Sequence, residues 1–154
     1  MHNYLLPAMI MALVWLVNMG NHCVGSLTKD DQIQYRSEVF INGRDGYRVY
    51  RIPALVCSAK SVLLAFCEGR KNGHKDTGDI DLLLKRSFNL GRSWSNQMVV
   101  HEEGGSQNIN IVNPVPIVDL KHGKIHLLYS KDYLEIFYTC SNEDAEIWSA
   151  PKIF

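Results

Sequence analysis

The sequence has no excess of either charge. Sixteen Lys and Arg residues balance sixteen Asp and Glu residues over 154 positions, so nothing in the charge balance indicates a basic nucleic-acid-binding surface or an anchor to anionic lipids. The four cysteines lack the Cys-x-x-Cys or Cys/His spacing of zinc sites. The sequence also has no phosphate-binding glycine loop and no Ser-His-Asp arrangement, so it implies no metal and no cofactor.

The first 28 residues contain no Asp, Glu, Lys or Arg, because Lys29 is the first of these in the chain. An apolar run of 14 residues, Tyr4–Val17, is short for a membrane span and suits the core of a signal peptide. Small residues at Cys23 and Gly25 would permit cleavage after Gly25. We therefore expect a signal peptide over residues 1–25, with an uncleaved anchor or a buried segment as the alternatives.

A signal peptide predicts a secreted or endomembrane protein, the lysosome included. The chain has no Asn-x-Ser/Thr sequon. It therefore gives no positive sign of N-glycosylation, and this weakens the lysosomal assignment.

Short strand-like runs follow a lead-in segment at residues 26–48, and they alternate with turn signals rather than with long amphipathic helices. The Ser61–Cys67 run is almost continuously apolar, which is typical of a strand covered on both faces. Strands are predicted at Val49–Val56, Ser61–Cys67, Ile80–Lys85 and Gln97–His101, and again at Pro114–Val118, Lys124–Ser130, Ile136–Cys140 and near Lys152. The sequence predicts an all-β fold of two four-strand units.

A short spacing recurs at the same place in both units. Ser87 and Trp94 are seven residues apart, as are Ser141 and Trp148, and the two serines are separated by 54 residues. A period of this length with four strands per unit is typical of the blades of a β-propeller. Residues 49–154 are therefore expected to form two blades of a partial propeller.

Two motifs carry a resemblance to a known family. Tyr50-Arg51-Ile52-Pro53 and Ser87-Phe88-Asn89-Leu90-Gly91-Arg92-Ser93-Trp94 resemble the Y/F-R-I-P segment and the first Asp box (S-x-D-x-G-x-[ST]-W) of the exo-α-sialidases, or neuraminidases. Asn89 stands where the box usually has Asp. The resemblance implies a six-bladed β-propeller that needs roughly 300 residues or more, so only about the first two blades are present here. It also implies that Ser87, Asn89 and Trp94 form a structural turn.

The resemblance implies an activity, the hydrolysis of terminal sialic acids from glycoproteins, oligosaccharides or gangliosides with retention. Sialic acid carries a carboxylate on its anomeric carbon, and the paired donors of a guanidinium match such an anion. Arg51 matches the first carboxylate-binding arginine of the family, and Arg70 matches an arginine bordering the same region. The alternatives are a solvated strand arginine for Arg51 and a strand-end cap for Arg70.

The resemblance assigns the acid/base role to Asp76. The segment Lys75-Asp76-Thr77-Gly78-Asp79-Ile80-Asp81 offers three carboxylates, and we expect Asp79 and Asp81 to be turn-forming or strand-start residues. A general acid at neutral pH needs a raised pKa. Lys75 and Arg70 would oppose that, so substrate binding would have to contribute.

Asn113, directly before Pro114, matches a family residue beside the substrate, and the alternative is a turn residue before proline. The family's nucleophile is a Tyr activated by a Glu. Tyr129, Tyr133 and Tyr138 do not match its position. That pair and two further arginines are expected in later blades.

Two other interpretations remain open. In one, the chain is a non-catalytic Asp-box propeller module that binds glycans or proteins. Departures from the Asp-box pattern, such as Asn89, favour this interpretation, and the joint presence of Arg51, Arg70 and Asp76 disfavours it. In the other, the short product misfolds, because an open propeller would expose the apolar faces of Leu63 and Leu83 and would aggregate. The expected partners are sialylated glycans and no nucleic acid, while the sequence leaves open a peripheral membrane or ganglioside contact and the oligomeric state.

Overall fold

The protein is described by a computed structural model at residues 36–105, 107–142 and 144–154. The signal peptide expected at residues 1–25, and the start of the lead-in segment, lie outside these ranges. The described residues form two four-stranded antiparallel sheets, each connected in strand order. The strands are β1 (Val49–Cys57), β2 (Leu63–Arg70), β3 (Ile80–Ser87) and β4 (Met98–His101), then β5 (Ile111–Asp119), β6 (Lys124–Lys131), β7 (Glu135–Asn142) and β8 (Lys152–Ile153).

The prediction of an all-β fold with two four-strand units is confirmed. Differences from the sequence prediction lie at strand ends: β2 continues to Arg70, and β5 begins at Ile111 instead of Pro114. Over residues 36–105, 107–142 and 144–154, no helix is long and apolar enough to cross a membrane.

The two sheets share one hydrophobic core. Side chains from both pack there with no exposed surface, and Phe66 meets Trp148 edge to face with 5.9 Å between ring centroids. Burial of a large apolar side chain contributes about 1.5–3 kcal/mol, so this core is the main stabilising contact between the sheets. Its fully buried members are Leu64, Phe66, Leu82 and Leu84 from the first sheet and Ile111, Ile125 and Leu127 from the second.

The opposite face of the first sheet is covered by the end of the lead-in segment. Tyr47, with Tyr50 of β1, packs over Cys67 and Leu83, and Phe40 lies against this cluster. Leu83 is completely buried. The expectation that this face would be exposed is therefore wrong for Leu83, because the lead-in segment supplies the covering layer.

One patch of exposed apolar side chains lies on the second sheet. Val115 and Ile117 of β5 and Ile136 of β7 share its outer face, and each is about half exposed (51%, 50% and 52%). Leu63, by contrast, is partly buried. Leu55 of β1 is also 41% exposed, so exposed apolar side chains occur on both sheets, and aggregation stays a prediction.

The first strand of each sheet carries an irregularity at an X-Pro step. The pairing register shifts at Ile52–Pro53 in β1 and at Asn113–Pro114 in β5. Ile52 and Asn113 both have positive φ, 52° and 59°, which is uncommon for any residue other than glycine and a marked outlier for a β-branched one. Such bulges re-aim side chains and are frequent beside functional sites.

Residues 87–94 form a turn that its own side chains hold together. The Ser87 hydroxyl accepts a hydrogen bond from the Gly91 backbone N–H at 2.8 Å, and Asn89 Oδ1 accepts one from the Ser93 N–H at 2.9 Å. The Trp94 indole donates to Ser37 Oγ at 3.0 Å. These bonds give the segment a fold-forming role.

Candidate functional site

Three of the predicted site residues meet at one end of the first sheet. Arg51 lies in β1 beside the bulge, Arg70 ends β2, and Asp76 lies in the β2–β3 connection. Asp76 Oδ1 accepts hydrogen bonds from Arg51 Nη1 and from Arg70 Nη1, each at 2.8 Å. Two strands and a loop thus place two guanidinium groups on a single carboxylate oxygen.

Arg70 is held rigidly in this site. Its side chain is only 2% exposed, and its Nε and Nη2 donate to Glu68 Oε2 at 3.1 and 2.6 Å. Its Nη1 also donates to the backbone carbonyls of His74 and Lys75, at 3.0 and 2.8 Å. Burial acts to lower the pKa of Arg70, but the hydrogen bonds to Glu68 and Asp76 outweigh it and the pKa is raised. The alternative of a surface strand-end cap is wrong for Arg70, because its side chain is buried.

Asp76 is exposed, with 68% of its side chain accessible. The hydrogen bond from Arg70, with the charge of Arg51 and Arg70, holds the pKa of this carboxyl below its usual range. This is the opposite of the shift that a general acid needs at neutral pH. Asp76 is therefore ionised in this arrangement.

Asn113 connects the second sheet to the site through its backbone. It lies inside β5, not in a turn, and its N–H donates to Glu68 Oε1 at 3.0 Å. Its side-chain amide donates to Ser130 Oγ at 3.3 Å. The structure therefore brings Asn113 to the site by way of Glu68, while Arg51, Arg70 and Asp76 contact one another directly.

Two site residues were missed in the sequence. Glu68 is 1% exposed, and its signal was a carboxylate within an apolar strand, two positions before an arginine and so on the same face. Tyr133 lies in the β6–β7 turn with φ of 60° and donates from its hydroxyl to the Asp76 carbonyl oxygen at 2.7 Å. No sequence pattern predicts this contact, because the two residues are far apart in the chain and belong to different sheets.

The other two carboxylates of the Asp76 segment form a separate buried network. Lys71 Nζ lies 3.0 Å from Asp79 Oδ1 and 3.0 Å from Asp81 Oδ2. The Tyr47 hydroxyl donates to Asp81 Oδ2 at 2.5 Å, and burial followed by this hydrogen bond raises the pKa of Tyr47. Asp79 and Asp81 are therefore engaged in holding the loop and the lead-in segment. In the described portion of the chain, no group of three or more His, Cys, Asp and Glu residues could hold a metal ion.

Part of the chain is similar to curated sialidases. It is 40% identical over 77 residues to an exo-alpha-sialidase of Aspergillus fumigatus, covering 48% of this chain and 19% of that protein. It is 36% identical over 89 residues to a sialidase of Micromonospora viridifaciens, covering 57% of this chain and 14% of that protein. An exo-alpha-sialidase of Arthroderma benhamiae is 36% identical over 77 residues, with 48% and 19% covered. The chain thus spans less than a fifth of the length of these relatives.

A solved structure shares the fold. The described sheets resemble the Hadza microbial sialidase Hz136 with a TM-score of 0.66 and 22% identity, over 72% of this chain and 27% of that one. No protein-family model matches the chain. The partial similarities support the sialidase family, and the fold is one that a sialidase also has.

Proposed function

We propose that this chain is the amino-terminal portion of an exo-α-sialidase, in which Arg51 and Arg70 bind the carboxylate of a terminal sialic acid. The observation that carries the proposal is the convergence of both Nη1 atoms on one oxygen of Asp76, at 2.8 Å each. Charge-assisted bonds from two guanidinium groups suit a carboxylate ligand. In this view the Asp76 carboxylate stands where the carboxylate of the sugar would lie.

Asp76 is the proposed general acid and base, and binding of the substrate would change its state. A sugar carboxylate that takes over the guanidinium groups would remove the interactions that lower the pKa of Asp76, and its own negative charge would raise that pKa. Asp76 is mostly exposed, so its side chain would leave the guanidinium groups without unpacking a core. Proton uptake at Asp76 would then accompany binding.

The remaining parts of the proposal go beyond the contacts that the described residues make. We propose that the complete enzyme is a six-bladed β-propeller, that this chain supplies its first two blades, and that later blades supply the Tyr/Glu nucleophile pair and two further arginines. Asn113 is proposed to hydrogen-bond the sugar. A signal peptide over residues 1–25, a secreted or endomembrane location, and glycoprotein, oligosaccharide or ganglioside substrates belong to the same proposal.

A non-catalytic glycan-binding or protein-binding module is the second candidate. The observation in its favour is the engaged state of Asp76, whose carboxyl is held ionised by two arginines. Such a group suits the binding of a ligand better than proton donation. The two candidates share the carboxylate-binding arginines and differ in whether bonds are broken.

Binding is tested by NMR titration of the chain with N-acetylneuraminic acid and with its uncharged methyl ester. We expect the acid to shift the Arg51 and Arg70 side-chain signals and to bind more tightly than the ester. Arg51→Gln should weaken binding of the acid by at least about tenfold, the effect of losing one charge-assisted contact. Lys60→Gln, which removes a cation paired with Asp144 at 3.2 Å outside the site, is the matched control. Equal affinities for acid and ester would refute the carboxylate site.

Catalysis is tested on the protein from its natural source. Its intact mass should lie well above the 17.5 kDa of this chain, near or above about 40 kDa for six blades, and a native mass near 17.5 kDa would favour the binding module. In the longer protein, Asp76→Ala should lower kcat far more for sialosides with poor leaving groups than for aryl sialosides. Equal losses would remove Asp76 from the acid role.

A further inference from the structure

We propose that Glu68 is a positioning residue that orients Arg70 and fixes its place relative to Asn113 on the second sheet. The role of Glu68 in anion binding rests on the proposed carboxylate site, whereas its role in orienting Arg70 does not depend on that site. Glu68 is not expected to contact the ligand, because its side chain is 1% exposed and lies beneath Arg70.

Both oxygens of Glu68 are in use, and each serves a different sheet. Oε2 accepts from Nε and Nη2 of Arg70 at 3.1 and 2.6 Å. Oε1 accepts from the backbone N–H of Asn113 at 3.0 Å. One carboxylate thus bridges the end of β2 to the bulge of β5.

This bridge determines which part of Arg70 faces the ligand. Nε and one N–H of Nη2 are engaged by Glu68, and Nη1 makes the bonds to Asp76 and to the loop carbonyls of His74 and Lys75. A guanidinium held on two of its three nitrogens loses little further freedom when a carboxylate binds to the third, so its affinity for the anion is higher. Without Glu68 the same arginine would have to be ordered by the ligand itself.

The backbone conformation of Asn113 also depends on Glu68. It holds φ of 59° within a bulge, and such a conformation persists only where surrounding contacts hold it. The hydrogen bond from its N–H to Glu68 is such a contact. The side chain proposed to contact the sugar is therefore placed by the same carboxylate that places the arginine.

The first test needs no ligand. The Nε–Hε signal of Arg70, assigned by its loss in Arg70→Lys, is expected to exchange slowly with solvent in the unmodified chain. Glu68→Asp keeps the charge but is one methylene shorter, so it cannot reach both partners, and exchange should accelerate by at least about tenfold, as expected when a buried hydrogen bond is lost. Glu103→Asp, which shortens the carboxylate paired with Lys131, should leave this signal unchanged. An unchanged Arg70 signal in Glu68→Asp would overturn the proposal.

The second test separates positioning from general support of the fold. A purely structural role predicts that Glu68→Asp weakens binding of N-acetylneuraminic acid and of its methyl ester equally. Positioning of Arg70 predicts that the acid-to-ester affinity ratio falls by about tenfold. An unchanged ratio with weakened binding of both would overturn the role in anion binding. If the unmodified chain binds neither compound, the carboxylate site fails, while the Arg70 exchange test still decides the role of Glu68.

Should Glu68→Asp fail to fold, Glu68→Gln tests the same role by removing the charge and keeping the length of the side chain. Gln keeps the length of the side chain and an acceptor for the Asn113 N–H, but it presents an amide instead of a carboxylate to Arg70. We expect faster exchange at Arg70 Nε with the Asn113 amide still protected. Loss of protection at Asn113 alone would overturn the proposal, since the arginine would then be oriented by other contacts.

Discussion

Replacement of Gly69 by alanine should destabilise the fold from a position between two site residues. A Cβ at residue 69 would lie 2.3 Å from Leu83 Cδ1 and 2.7 and 2.8 Å from ring atoms of Tyr47. These distances are far inside van der Waals contact, so the tyrosine that covers this face of the sheet would have to move. Gly69 is therefore required by the packing of the lead-in segment on β2.

The expected loss follows from two effects. Overpacking a well-packed site costs about 1–3 kcal/mol. A displaced Tyr47 would also lose its hydrogen bond to the Asp81 carboxylate at 2.5 Å, and a hydrogen bond to a charged group contributes about 1.5–3 kcal/mol. We expect a decrease in the free energy of unfolding of about 2.5–6 kcal/mol, a large part of the roughly 5–15 kcal/mol of a typical domain.

Urea denaturation followed by tryptophan fluorescence measures this decrease as a shift of the midpoint by about 1–3 M. Tyr47→Ala removes the ring atoms that clash, so Gly69→Ala combined with Tyr47→Ala should lose less stability than the sum of the single losses. A loss below about 0.5 kcal/mol for Gly69→Ala, the ordinary range for surface substitutions, would refute the packing of Tyr47 on Gly69. Full additivity in the double variant would refute it as well.

Three further predictions concern titration, reactivity and the core. The Asp76 carboxyl should titrate with a pKa below its ordinary value of 3.8, because Arg70 and Arg51 favour the ionised form. The contribution of Asp76 to stability is then complete above pH 3.8 and is lost as the pH falls through the lowered pKa. A carboxyl ¹³C titration with a midpoint at or above 3.8 would contradict this prediction. Burial raises the pKa of the Cys67 thiol to about 12, so iodoacetamide at pH 8 should alkylate Cys140 in the native protein and Cys67 only after unfolding. Peptide mass spectrometry that shows equal alkylation of the two cysteines in the native protein would disprove this prediction. Phe66→Ala should reduce the free energy of unfolding by about 3–5 kcal/mol, since Phe66 is fully buried in the shared core, and a loss under 1 kcal/mol in urea denaturation would count against that core.

The strands could be predicted because their signals are local. β2 is apolar from Leu63 to Cys67 and is covered on both faces, and β6 alternates buried and less buried residues as a one-sided strand does. The ends were less certain, because Glu68 and Arg70 belong to β2 although they are charged. Their burial depends on each other and on the second sheet, which no local pattern encodes.

The site could be predicted only for residues that match a motif. Arg51, Arg70 and Asp76 were found by resemblance, and the structure places them within hydrogen-bonding distance. Glu68 and Tyr133 carry no motif, and their roles come from contacts between sheets. The burial of Leu83 was missed for a similar reason, because the sequence does not show on which side of the sheet the lead-in segment lies.

The layer formed by Phe40, Tyr47 and Tyr50 has a consequence for protein engineering. A fusion or recombination junction placed at the start of β1 would separate Tyr47 from its contacts with Gly69 and Asp81, and the sheet would lose its cover on the side away from the shared core. Libraries that exchange such units between related proteins should therefore place the crossover upstream of Phe40, so that each first sheet keeps the tyrosine with which its own Gly69 is matched.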